Sequence, residues 1–281
     1  MAEHRIRILH LSDLHERGPR EGEIWRRRRV LGEAWERNLD AIAEDGAVDL
    51  VCFTGDAADW GLAAEYEAAT EFLDAALARL GLGRDRLFIV PGNHDIARET
   101  AKPAWKRLRR DLPRANAQGV SRWLAGGETP LGLNDTDRDG VLERQGAYRD
   151  WLNNLGRADM LPAGGPHPNL GYRATLRLAG RPFDLHVIGL DSAWLAGDDA
   201  DAGKLLLTDD QVMRLTSTGQ GDALAGFRLA LIHHPLDDLA DAGDCRRLLA
   251  ERVDLLLRGH LHEAEPSLWA DPARALRQVA A

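Results

Sequence analysis

Five short stretches of this chain set metal-ligand and proton-carrying side chains together: Ser12-Asp13-Leu14-His15, Thr54-Gly55-Asp56, Gly92-Asn93-His94-Asp95, His233-His234-Pro235 and Gly259-His260-Leu261-His262. Each directly follows an apolar run. A single Asp or His in such a place is ordinarily a turn former or a helix cap. Five such places with the same residue types call for another reason. Carboxylate, amide and imidazole donors without a thiolate suit a hard-to-borderline divalent cation. So many donors exceed the needs of one ion. Two divalent ions about 3.5 to 4 Å apart repel strongly, and a shared carboxylate with a bridging hydroxide is the usual remedy. Asp56 suits the bridge, because Gly55 lets the backbone approach closely and the carboxylate has two oxygens to share. Two ions contribute about +4, Asp13 and Asp56 −2 and a hydroxide −1, so a charge of about +1 remains to attract an anion such as a phosphate.

The elements that must position these residues are legible as apolar runs of strand length: 5–11, 49–53, 87–90, 183–190, 227–232 and 253–257. Five of the six end in Asp, Asn or His. Helical patterns alternate with them. Trp35, Leu39 and Ile42 share one face, as do Tyr66, Leu73, Leu77 and Leu80 ahead of Gly81, and Thr208-Asp-Asp-Gln211 reads as a capping box. Strands alternating with helices give an α/β layered core. Loops beyond the carboxyl ends of such strands gather at one edge, where these folds place their ligand sites. Residues 172–190 alternate polar and apolar around Gly-Arg-Pro and predict an antiparallel hairpin, hence mixed sheets. The interval of about 97–170 reads as an insertion, loop-like at GGETPLGLNDTDRDG and LPAGGPHPN. His4, His10 and His186 sit within or before strands, ordinary places for an imidazole.

A length of 281 residues at 44% hydrophobic is enough for a single domain with a sizeable core. No run approaches the roughly 20 apolar residues of a membrane helix, and the start lacks a signal-peptide order. Cys52 and Cys245 lie in unrelated contexts. A disulfide framework is therefore not expected, and a cytoplasmic location without membrane association is. The net charge of −9 excludes a surface that is basic throughout, but not a local basic patch.

The ordered set DLH, GD, GNHD, HHP and GHLH, spanning Asp13 to His262, resembles the calcineurin-like metallophosphoesterases. The resemblance implies two mixed β-sheets packed as a sandwich flanked by helices, with a binuclear metal centre at the strand ends. It implies that Asp13, His15 and His262 hold one ion, that Asp56 bridges, and that Asn93, His233 and His260 hold the other. His94 would be no ligand; with Asn93 it would contact the phosphate, and it would serve the leaving oxygen, with Asp95 orienting its ring. His234 inherits no ligand role. Manganese heads the candidate metals, ahead of Fe, Zn and Ni. The implied reaction is in-line attack of a metal-bridging hydroxide on a phosphoester. Members usually continue with further strands after GHxH, so the chain is expected to be the N-terminal domain of a longer protein, with a fused C-terminal domain. A noncatalytic scaffold is the contrasting class, and the complete ligand signature argues against it.

Two basic segments bear on the substrate. Residues 16–29 carry six Arg against three Glu, and residues 98–114 carry seven basic against two acidic residues. Each follows a candidate metal loop, where Lys and Arg could track a phosphate backbone while Trp25 and Trp105 stack on bases. Nucleic acid is thus one candidate, beside a cyclic nucleotide or a phosphomonoester. The segment KPAWKRLRRDL reads equally as a solvated amphipathic helix with Trp105, Leu108 and Leu112 inward.

Overall fold

The computed structural model describes residues 4–22, 31–162, 170–262, 264–271 and 273–281. Trp25 and Arg26 to Arg29, and most of LPAGGPHPN, lie outside the described residues. A small sheet joins β1 (Ile8–Leu11), β2 (Leu50–Phe53) and β3 (Leu87–Ile89), all parallel. A larger one runs in the order β4 (Tyr172–Leu176), β5 (Leu185–Gly189), β6 (Phe227–Ile232), β7 (Leu255–Arg258), β9 (Ala275–Ala280) and β8 (Pro266–Ala270). The predicted hairpin is β4 and β5, paired antiparallel with Tyr172 opposite Gly189. β5, β6, β7 and β9 are parallel, and β8 returns antiparallel on the edge. The larger sheet is therefore mixed, while the smaller is parallel over its three strands.

Burial on both faces explains the continuous apolar runs. Leu185, Val187, Leu229, Leu231 and Leu257 join the small sheet in one core, with α1 (Glu33–Glu44), α2 (Ala63–Arg79) and Tyr148, Trp151 and Leu152. The alternate residues Ile188, Ala230, Ile232 and Leu256 face a second core on the far side. This two-period pattern is the pleat of a strand read in burial.

The interval after residue 97 is more helical than its Gly and Asp content predicts. It holds α3 (Lys102–Asp111), α4 (Ala117–Leu124), α5 (Asp135–Glu143) and α6 (Gly146–Asn154). The Asn134 side chain accepts from the Asp137 N–H at 2.8 Å, which starts α5 inside the stretch expected to be a loop. Gly140 is tolerated within that helix because it lies against the side chains of Ala101 and Ala104. The later helices α7 (Asp209–Thr216) and α8 (Ala242–Arg252) pack in the second core through Val212, Leu215, Cys245 and Leu249. The Thr208 hydroxyl accepts from the Gln211 N–H at the start of α7, as a capping box requires. Gln211 completes no box, because its amide instead bonds Asp191 and the Leu207 carbonyl.

Candidate metal centre

Parallel pairing of β1, β2 and β3 brings their exits together. Past the strand ends the ladder continues, with Asp13 N–H donating to the Gly55 carbonyl and His15 N–H to the Asp56 carbonyl. Gly55 is required where it stands: its φ is +98°, and a Cβ there would lie 2.6 Å from His233 Nδ1 and 2.8 Å from Gly92 N. The exits of β6 and β7 reach the same edge. All seven residues expected to hold metal therefore converge, although they span positions 13 to 262.

They form two donor groups. Asn93 Oδ1 lies 3.0 Å from His233 Nε2 and 3.1 Å from His260 Nδ1, and those nitrogens are 3.2 Å apart. Asp13 Oδ1 lies 3.8 Å from both His15 Nε2 and His262 Nε2, whose rings are stacked. Asp56 Oδ2 stands between the groups, 3.3 Å from His233 Nε2 and 3.8 Å from His15 Nε2. Donors about 2.1 Å from one ion and at right angles to each other sit roughly 3 Å apart, so the first group has the edges of a coordination polyhedron. Asp13 Oδ1 is buried and accepts no hydrogen bond, an expense that a cation there would remove. The donor set thus fits divalent ions.

The backbone carries the same signature. Among the described residues seven non-glycine residues have positive φ, and five of them are Asp13, His15, Asp56, His260 and His262. Left-handed backbone at non-glycine residues costs on the order of 1 to 3 kcal/mol each and clusters at functional sites.

Charge within the centre is set by proximity. Burial pulls the His233 imidazole down, but the Asp56 carboxylate beside it raises it further, to about 9. Burial would raise Asp56, yet His233, with His94 and His15, holds it below the usual carboxylate range. Burial and the neighbouring His233 depress His260 to about 4. The Thr54 carbonyl accepts from His233 Nδ1 at 2.7 Å, which turns Nε2 toward the other donors. His234 is buried, with Nδ1 bonded to the Ser192 hydroxyl at 2.9 Å and its ring centroid 4.9 Å from that of His260.

Asp95 does not take the orienting role that the resemblance implies. Its carboxylate accepts from the N–H groups of Asp56, Ala57, Ala58 and Gly92 and from the Tyr66 hydroxyl, and so it pins the loops after β2 and β3 together. Burial and the Asp56 charge raise it to about 6, against those hydrogen bonds. The partner of His94 is Asp59: His94 Nδ1 donates to its carbonyl at 2.8 Å, and its carboxylate lies 3.7 Å from the same nitrogen and 3.6 Å from His15 Nδ1. The missed signal was the second acid of Gly55-Asp56-Ala57-Ala58-Asp59.

The second basic segment also falls elsewhere. Trp105 is buried, its Nε1 donating to the Leu195 carbonyl, with Arg109 and Arg144 each 5.4 Å from its ring. It cannot stack on a base, because its ring is buried in the protein. His186 bonds Thr175 and the Ala225 carbonyl and His10 bonds Thr54, both as strand residues. Among the described residues no helix is long and apolar enough to cross a membrane.

A relative from Bacillus subtilis, the uncharacterized metallophosphoesterase-like protein YydB, is 29% identical over 98 residues, 35% of this chain and 19% of its own length. Among solved structures, the sulfate thiohydrolase SoxB of Thermus thermophilus aligns over 97% of this chain and 51% of its own, at 15% identity and a TM-score of 0.47. The NAD nucleotidase NadN of Haemophilus influenzae aligns over 97% and 44%, at 13% identity and a TM-score of 0.46. The chain thus spans about half the length of these structures and about a fifth of that relative. The family model of the calcineurin-like phosphoesterases matches residues 6–264, and with nearly its whole length inside that match the chain belongs to this metal-dependent phosphoesterase family.

Proposed function

We propose that the chain hydrolyses a phosphodiester at a two-metal centre, with a nucleotide or nucleic acid as substrate. The observation that carries this reading is Asp56 Oδ2, one carboxylate oxygen within 3.8 Å of a nitrogen from each donor group. Two divalent ions, Mn²⁺ first among those the donors suit, would be held by Asp13, His15 and His262 on one side, Asn93, His233 and His260 on the other and Asp56 between, and would supply a nucleophile at neutral pH and positive charge facing the phosphoryl oxygens.

The chain's own groups do the rest. Asn93 turns Oδ1 toward the centre, which leaves its amide N–H₂ to donate to a phosphoryl oxygen. His94 commits Nδ1 to Asp59, so Nε2 is the nitrogen that can hand a proton to the leaving alkoxide. The Asp59 carboxylate lies 3.7 Å from that same Nδ1. A diester carries one negative charge, whereas a monoester dianion calls for a further cation, and Arg17 beside the site is already held by Asp59 at 3.1 Å. Buried, unpaired thiols at Cys52 and Cys245 support a reducing, cytoplasmic setting.

The test is hydrolysis of a chromogenic diester, the matching monoester, and 2′,3′- and 3′,5′-cyclic nucleotides by protein loaded with Mn²⁺, Zn²⁺, Ni²⁺ or Mg²⁺. Faster turnover of the diester is expected. Preference for the monoester would overturn the diester assignment, and no turnover at verified metal occupancy would refute catalysis altogether.

A further inference from the structure

Among the described residues, Trp60 is the exposed large aromatic, at 56% of its full accessibility, and it follows Asp59 directly in the chain. An exposed indole offers a large flat face for contact. The backbone that carries this one is tied down. Glu65, itself buried, accepts from the Trp60 N–H at 2.9 Å and the Leu62 N–H at 3.1 Å, and it also pairs with Arg20. The Arg20 guanidinium in turn lies 5.6 Å from the centroid of the Trp60 ring. Gly61, at φ +64°, packs its Cα on the backbone of Asp95 to Ala97, where a Cβ would come within 2.9 Å of Ala97 N. Trp60 is thereby anchored between the residue that holds His94 and the loop that carries it.

Arg17, Arg20, Asp59 and Trp60 line a cavity of about 310 Å³. It combines an aromatic face, two guanidinium groups and the acid that orients His94. Leu261, between His260 and His262, is also exposed. The chemistry that matches an exposed indole face flanked by cations is a flat heteroaromatic ring tethered to a phosphate.

Resting on the phosphodiester reading above, we infer that Trp60, with Arg17 and Arg20, is the base-binding platform of this centre, so that the substrate carries an unpaired nucleobase on the nucleoside esterified to the scissile phosphate. The ring stacks on Trp60, and Arg17 and Arg20, held by Asp59 and Glu65 and about half exposed, border it. The platform replaces Trp105, which the fold has buried.

Two esters with the same leaving group test this: thymidine 5′-(4-nitrophenyl) phosphate and methyl 4-nitrophenyl phosphate, assayed with the Mn²⁺-loaded protein and with W60A and W60F. The wild type is expected to favour the thymidine ester. In W60A the ratio of kcat/KM between the two esters falls roughly 5- to 100-fold, chiefly through KM, and W60F restores most of it. An unchanged ratio, or equal loss on both esters, overturns the platform. If neither ester is turned over, the phosphodiester reading fails by itself. Quenching of tryptophan fluorescence by thymidine 5′-monophosphate, present in the wild type and lost in W60F, then upholds the platform, and its absence in the wild type overturns it. Repeating the comparison with oligothymidylate and a 2′,3′-cyclic nucleotide assigns the base to a polynucleotide, if only the former depends on Trp60, or to a single nucleoside, if both do.

Discussion

The loops at the carboxyl edge of the strands and helix α3 are both rich in charge, and they dispose of it in opposite ways. At the edge, Asp13 Oδ1 is buried without a hydrogen bond, imidazole nitrogens crowd to 3.2 Å, and five residues expected to hold metal have left-handed backbone. On α3, Lys102 meets Glu99, Arg107 meets Asp137, Arg109 meets Asp201 and Arg110 meets Asp111. The difference teaches where to look for function. Matched charges mark structure that is already complete, while unspent acceptors on strained backbone mark a place built for something the chain does not itself supply.

The hardest way to break the contrast is to remove its hinge. Asp56→Ala is expected to cut hydrolysis by more than about 100-fold and to lower the bound metal per chain, read by turnover and elemental analysis. Full activity would end the two-metal reading. His94→Ala is expected to lose about 10² to 10⁴ in kcat while metal content stays whole, because a proton donor and not a ligand has gone. Asp59→Asn keeps the backbone carbonyl but removes the carboxylate. A loss of about 10- to 100-fold would place the orienting charge there. Asp95→Ala separates the two acids. It should leave several loop N–H groups unsatisfied and lower the melting temperature of the metal-free protein, at about 1 to 3 kcal/mol per group, which Asp59→Asn should not do.

Proton linkage sharpens the comparison further. Asp56 holds His233 up at about 9 in the metal-free centre, so the ring is protonated at neutral pH and the proton competes with an ion for Nε2. Metal affinity therefore rises with pH until about 9, and loading at pH 7 releases protons. Calorimetry in buffers of different ionisation enthalpy measures that release, and none detected would contradict the assignment of His233. The smallest effect belongs to α3. Replacing Lys102, Arg107 and Arg110 together by Ala should leave both turnover and its salt dependence unchanged, because those cations already face carboxylates.

The convergence of strand ends was legible because Asp, Asn and His follow buried strands in a parallel arrangement whose loops must share an edge. Residues such as Asn93 and His260 needed no more than their place after a run. Asp59 was not legible, because its reach to His94 depends on a turn fixed by Gly61 and by the Glu65 carboxylate, both outside any apolar run. Trp105 had two readings, a stacking residue or part of the inner face of an amphipathic helix, because a helix basic on one side and apolar on the other does not say whether its indole serves a ligand or the core. The tertiary fold decided it, through Leu195, Arg109 and Arg144. β8 escaped notice because Glu-Ala-Glu-Pro reads as a loop, and Pro266 is accommodated at the first position of an edge strand.

The positive φ angles at Asp13, His15, Asp56, His260 and His262 have a consequence for substitution. At each, glycine would relax the backbone while removing a side chain expected to hold metal. Stability and the expected ligation are thus opposed at the same five positions.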